Sequence, residues 1–131
     1  MAWSVDSTTG GLIALAGSPY QAGTLAFGTA TFDPSEKFLY VSAGAPGGIL
    51  GFSVDANSGA LTPLSGSPFS STSVLTSPVV DPGGRFLFAS DTKNKAIVGF
   101  SLDSSTGALT PLGSPTPSGS VPITFTIVKA P

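Results

Sequence analysis

The segment Phe52 to Leu64, FSVDANSGALTPL, returns as Phe100 to Leu112, FSLDSSTGALTPL, 48 residues further along the chain. A looser copy opens the sequence at Trp3, WSVDSTTGGLIAL, and Gly-Ser-Pro-Tyr at 17 to 20 matches Gly-Ser-Pro-Phe at 66 to 69. A second element lies between these copies: Asp33 to Ser42, DPSEKFLYVS, aligns with Asp81 to Ser90, DPGGRFLFAS, at the same offset. A long exact period is the mark of a repeat architecture, so these matches decide the fold before any single residue does.

Each unit divides into four short runs bounded by turn residues, which predicts four strands, A to D. Run A ends in Asp-Pro (Ala30 to Phe32, Ser77 to Val80), and run B is led by Lys or Arg (Lys37 to Ser42, Arg85 to Ser90). Run C ends in Ser-Val-Asp or Ser-Leu-Asp (Ile49 to Asp55, Ala96 to Asp103), and run D is Gly-Ala-Leu-Thr-Pro-Leu. Pro63 and Pro111 put D at a sheet edge, because proline removes a ladder donor. The B runs are apolar on successive residues, which calls for cover on both faces, as between stacked blades. A solenoid repeat carries fewer elements, and a sandwich of unrelated strands leaves the repetition without a cause.

The fold class read from this pattern is all-β, a partial β-propeller of about two and a half four-stranded antiparallel blades. Residues 3–26 are expected to hold strands C and D of a split blade. Residues 27–75 and 76–119 should form two full blades, and 120–131 a closing strand A built on Pro122 to Val128. A ring needs at least about four blades. One copy would leave blade faces and sheet edges bare, so a homo-oligomer is expected, a dimer in its simplest form, with the last A run of one chain joining the opening C and D runs of the other.

Composition narrows the chemistry. Of 131 residues 40% are apolar, enough for an ordinary core, and only 9% are charged, with a formal net charge of -2. The five basic residues are scattered, which argues against nucleic acid and anionic membranes as partners. Cysteine and histidine are absent, removing disulfides, thiolate or imidazole metal ligands and every triad with a histidine base. No metal site and no cofactor is expected. No run approaches a membrane span, and no signal peptide is expected at this N-terminus, because Met1 to Asp6 has no basic region followed by an apolar run. The hydroxyl-rich composition leans towards a secreted bacterial protein.

The motif Asp-Pro-x-x-Lys/Arg-Phe-Leu-Tyr/Phe-Val/Ala-Ser, followed by Gly-Phe-Ser-Val/Leu-Asp-x-x-x-Gly-Ala-Leu-Thr-Pro-Leu, resembles the YVTN repeat of lactonase-type propellers, the 6-phosphogluconolactonase-like family. The resemblance covers nearly the whole chain. Complete members usually carry seven blades, so it implies the C-terminal part of such a ring, or an excised or engineered fragment. It also implies lactone hydrolysis or formation, associated in that family with histidine, arginine and acidic groups around the channel mouth. This sequence has no histidine, and its one arginine, Arg85, belongs to the strand-B motif.

Repetition also sorts candidate residues, since a group present in every unit serves the blade and a site should break the pattern. Asp6, Asp55 and Asp103 each precede a glycine by four residues (Gly10, Gly59, Gly107) and read as caps of the C-to-D turn. Asp33 and Asp81, each before proline, read as A-to-B turn residues, and Glu36 as a surface turn residue at the Gly84 position. These carboxylates lack EF-hand spacing. No serine sits in Gly-x-Ser-x-Gly, and Gly44 to Gly48 lacks the ending of a phosphate loop.

The departures lie between B and C, where Ala43 to Gly48 of the first full unit becomes Asp91-Thr92-Lys93-Asn94-Lys95 in the second. Asp91, Lys93 and Asn94 are therefore candidate contacts for a small neutral polar ligand, against the plainer reading of a solvated turn. Gln21, in the hydroxyl-rich D-to-A loop, is the fourth candidate. Tyr20 and Phe69 occupy equivalent positions and read as core, as does Trp3, the counterpart of Phe52 and Phe100. The expected function is a self-assembling structural or ligand-binding propeller scaffold; the alternative is a weak metal-independent hydrolase of lactones or activated esters. A sugar-binding propeller, a third class, would need aromatic rings exposed on loops.

Overall fold

A computed structural model describes residues 3–15, 17–18, 26–43, 47–69, 73–122 and 124–128. The elements among them are strands: β1 (Trp3–Val5), β2 (Leu12–Ala14), β3 (Ala26–Phe32), β4 (Phe38–Ala43), β5 (Ile49–Val54), β6 (Leu61–Pro63), β7 (Leu75–Val80), β8 (Phe86–Asp91), β9 (Ala96–Leu102), β10 (Leu109–Pro111) and β11 (Thr116–Pro117). They form an N-terminal hairpin β1-β2, a middle blade ordered β3-β4-β5-β6, and a last blade ordered β7-β8-β9-β10 with β11 also on β9. All pairings are antiparallel. This is the partial propeller that the repeat predicts, with the proline-bearing D strands at the sheet edge.

The 48-residue offset holds down to single ladder pairs. Leu39 faces Phe52 in the middle blade, and Leu87 faces Phe100 in the last. Strand β3 shifts register between Ala26 and Ala30, and β7 does so between Thr76 and Val79. The outer strand is broken and then resumes on the same partner: Phe69 bridges Ile49, and Pro117, in β11, pairs with Ala96 beside Ile97.

The turns follow from side-chain acceptors. Asp55 Oδ1 accepts from the Asn57 and Ser58 amides, and Asp103 Oδ1 from those of Ser105 and Thr106, as Asp6 Oδ1 does from Thr8 and Thr9. Each hairpin then closes on a glycine with left-handed backbone, at φ 72° for Gly10, 67° for Gly59 and 73° for Gly107, where a side chain would be strained. In the A-to-B turns Asp33 accepts from the amides of Ser35 and Phe38, and Asp81 from those of Gly83, Arg85 and Phe86.

Packing between blades distinguishes the two B strands. In β4, Phe38 and Tyr40 are buried while Leu39 and Val41 are half-buried; in β8 the phase inverts, with Leu87 and Ala89 buried and Phe86 and Phe88 half-buried. Side chains alternate between sheet faces, so each strand buries the set that looks towards the other blade. The expected cover on both faces is therefore complete on one face of each. The Tyr40 hydroxyl crosses the interface and donates to the Gly107 carbonyl at 2.8 Å. A Cβ on Gly107 would come within 2.5 Å of the Phe38 ring and 2.8 Å of Leu64 Cδ1. Full burial of Tyr40, Leu75, Leu87 and Phe100 contributes about 1.5–3 kcal/mol per side chain.

The N-terminal hairpin stacks on the middle blade by the same contact, since Leu15 Cδ1 lies 2.6 Å from where a Gly59 Cβ would stand, as Leu64 does at Gly107. Trp3, read as core from its alignment with Phe52, is 48% exposed. Its counterparts are covered by a B strand paired on the far side, and β1 pairs with β2 alone among the described residues. Phe69, by contrast, is buried against Gly51, as its strand position suggests. Of the closing strand expected at Pro122 to Val128, the described residues Pro122 and 124–128 form no ladder within this chain, and Ile123 lies outside the described residues. Thr124, Thr126 and Val128 are exposed while Phe125 and Ile127 are half-buried, a strand-like alternation without a ladder partner among the described residues.

Candidate functional site

Strand β8 carries its ladder with β9 as far as the pair Asp91 and Ala96, so the four residues Thr92 to Lys95 form the hairpin tip. Asp91 is 3% exposed. Its Oδ1 accepts from the Asn94 amide at 2.9 Å and its Oδ2 from Asn94 Nδ2 at 2.8 Å. The same Nδ2 donates to Ser73 Oγ at 2.9 Å, joining the B-to-C hairpin to the segment that leads into β7. The chain then returns past the tip, where the Ser118 amide donates to the Lys95 carbonyl at 2.9 Å. On the other side, a Cβ at Gly47 would stand 2.3 Å from the Ser73 carbonyl oxygen, so the middle blade's B-to-C loop reaches the same spot.

Three of the four candidate residues thus share one hairpin. Asp91 and Asn94 bond directly, and Lys93 is exposed beside them. Gln21 lies outside the described residues, as does Tyr20. Sequence reasoning missed Ser73, although the repeat held the signal: positions 73, 91 and 94 are Ser, Asp and Asn in the last blade but Leu25, Ala43 and Pro46 in the middle one. A buried carboxylate needs partners, so the three polar residues depart from the pattern together.

Burial pushes the Asp91 carboxyl upward, but hydrogen bonds from the Asn94 amide and side chain, the Ser73 hydroxyl and the Lys93 amide outweigh it, and the net direction is down. The same balance holds Asp33 and Asp81 below the ordinary carboxylate value; burial opposes donors from Ser35 and Phe38 in the first case and from Phe86, Arg85 and Gly83 in the second. Asp6, Asp55 and Asp103 are lowered by their turn donors, led by Thr9, Ser58 and Ser105. Every aspartate is therefore a committed hydrogen-bond acceptor. None has the raised pKa that suits a general base near neutrality. Burial, then the Asp33 charge, pushes the Tyr40 phenol upward, so it stays a donor. Among the described residues no cluster of acidic side chains fits a metal ion.

The B-to-C tip carries two exposed lysines, Lys93 and Lys95, on a hairpin that the hydrogen bonds among Asp91, Asn94 and Ser73 tie down, and Lys93 is the nearer of the two to Asp91 in the chain. The lactonase family model, a seven-bladed β-propeller, matches residues 22–127. The chain belongs to the lactonase family. This lactonase-family chain is also similar to a candidate 6-phosphogluconolactonase from Bacteroides fragilis, with 22% identity and TM-score 0.70 over 93% of this chain and 34% of that one. A candidate 6-phosphogluconolactonase from Bacteroides uniformis gives 22% identity and TM-score 0.64, covering 73% and 27%. The periplasmic gluconolactonase of Pseudomonas aeruginosa gives 24% identity and TM-score 0.59, covering 87% and 34%. At these identities the likeness is one of fold, and the chain spans about a third of the length of these proteins. No curated protein matches it.

Proposed function

We propose that this lactonase-family chain binds a hydroxylated lactone at the β8–β9 tip and promotes its hydrolysis weakly, by electrostatics rather than by base catalysis. Membership of the family across residues 22–127 carries the reading, and two similar folds described as candidate 6-phosphogluconolactonases support it. In the reaction a hydroxide oxygen bonds to the ring carbonyl carbon, negative charge grows on the carbonyl oxygen, and the ring C–O bond breaks, the expelled ring oxygen taking a proton from water to leave a hydroxy carboxylate. Lys93 is the group suited to meet that charge, because a cation brought beside the carbonyl stabilises a developing oxyanion. Asp91, Asn94 and Ser73 position it. With both Asp91 oxygens committed to Asn94, attack depends on hydroxide from solvent.

Acid release from glucono-δ-lactone at fixed pH tests this. Hydrolysis above the buffer blank is expected to rise about tenfold per pH unit through neutrality without an inflection, and to fall roughly a hundredfold in Lys93→Ala, the lower range for losing one oxyanion partner. No excess over the blank, or an undiminished Lys93→Ala rate, contradicts the proposal. A second reading, a binding scaffold without turnover, is favoured by the commitment of all six aspartates to turns. Calorimetric binding of the lactone with no acid released would select it.

A further inference from the structure

The antiparallel order of each blade sorts the charged residues by strand end. The A-to-B and C-to-D turns lie at one end, and the B-to-C tip lies at the other. Every acidic residue except Asp91 belongs to the first end, where Lys37 and Arg85 are the only bases among the described residues. The tip has the opposite balance. Lys93 and Lys95 are both exposed there, against the single carboxylate of Asp91, which is buried and has both oxygens bonded to Asn94. The corresponding loop of the middle blade, Ala43 to Gly48, carries no charge, so the positive tip is a departure from the repeat and serves no need common to the blades.

Lys93 and Lys95 are two residues apart in one turn, which keeps their Cα atoms within about 7 Å of each other. Lys95 has a left-handed backbone, φ 52°, and its carbonyl accepts from the Ser118 amide at 2.9 Å, so the second lysine leaves the turn at a tied point. Two ammonium groups on flexible four-carbon stems can meet the two oxygens of one carboxylate. Thr92 in the turn and Ser118 beside it bring hydroxyls to the same place. An uncharged lactone gains little from such a pair until charge develops on it, whereas the hydroxy carboxylate that ring opening yields carries a full negative charge throughout. We propose that the Lys93 and Lys95 tip selects a polyhydroxy carboxylate over the uncharged lactone, so that product competes with substrate for the site. That this anion arises as a product rests on the lactone reading; its recognition rests on the lysine pair. Each lysine contact in water is worth roughly fivefold in affinity at low salt.

Amide chemical shifts of the chain, followed as sodium gluconate is added, read this binding without any turnover. The shifts should concentrate on Thr92 to Lys95 and on Ser118. Glucose, a polyol without the carboxylate, should leave these amides still, and acetate, a carboxylate without the hydroxyls, should bind more weakly than gluconate. Lys95→Gln and Lys93→Gln should each weaken gluconate roughly fivefold, and Lys37→Gln, at the acidic end, should leave its affinity unchanged. Raising the salt from about 10 mM to about 1 M, which shortens the Debye length from roughly 30 Å to 3 Å, should abolish the response. Shifts spread evenly over Lys37 and the tip, glucose or acetate bound as well as gluconate, or full affinity in both tip variants overturns the inference. In the acid-release assay the matching result is slowing of hydrolysis by added gluconate and not by glucose. Gluconate bound at the tip of a chain that releases no acid would uphold the ligand and remove the turnover; acid release without a gluconate response would do the reverse.

Discussion

At the residue scale, the same position carries different strain in the two full blades. Glu36 and Gly84 occupy matching places in the A-to-B turn and share a left-handed backbone, with φ of 58° and 67°. Glycine adopts it without steric cost, whereas a side chain costs roughly 1–2 kcal/mol there. Glu36→Gly is therefore expected to raise stability by about 1 kcal/mol, read as a shift of the urea midpoint with unchanged slope. The alignment alone made Glu36 a turn residue; its strain became visible only from the backbone angle. Trp3 teaches the complementary lesson. Its alignment with Phe52 gave the strand position, but burial depends on a neighbour that β1 does not have among the described residues.

At the scale of elements, hairpins and blade turns rest on carboxylates that accept backbone amides. Asp33, Asp81 and Asp91 are each held below the ordinary carboxylate value of 3.8. A depressed folded pKa gives stability that is complete above the unfolded value and lost as pH falls through the folded one. Urea midpoints should accordingly stay level from about pH 7 to 5 and fall steeply below about pH 4, the unfolded carboxylate range. In Asp81→Asn the acid limb should become shallower, because one of the linked groups no longer titrates; an unchanged limb would remove Asp81 from this account. These turns were legible in the sequence, as Asp followed at fixed distance by Gly or Pro. The Asp91, Asn94 and Ser73 cluster was legible only in part. Ser73 stands 18 residues before Asp91, and only the pairing of Leu75 with Asp91 carries the chain from one to the other.

For the whole molecule, stability is graded along the chain. Strands β1 and β2 are exposed throughout, whereas Leu87, Ala89 and Ser90 of β8 are fully buried between paired strands. Local opening draws on such differences. In dilute solution the amides of Val5 and Leu12 to Ala14 should exchange at least about a hundredfold faster than those of Leu87 to Ser90, as read by hydrogen exchange. Equal protection would mean that the hairpin is covered in a way one copy does not provide. The sequence by itself determined the four-strand unit, its turns, the edge position of D and the identity of the family, because these depend on local backbone chemistry repeated at a fixed interval. Tertiary structure alone decided which face of each B strand is buried, that Trp3 is bare, and that 124–128 has an extended pattern without a ladder. Burial and pairing belong to neighbours, and a repeat in the sequence states what each blade offers without saying whether the next blade is there to receive it.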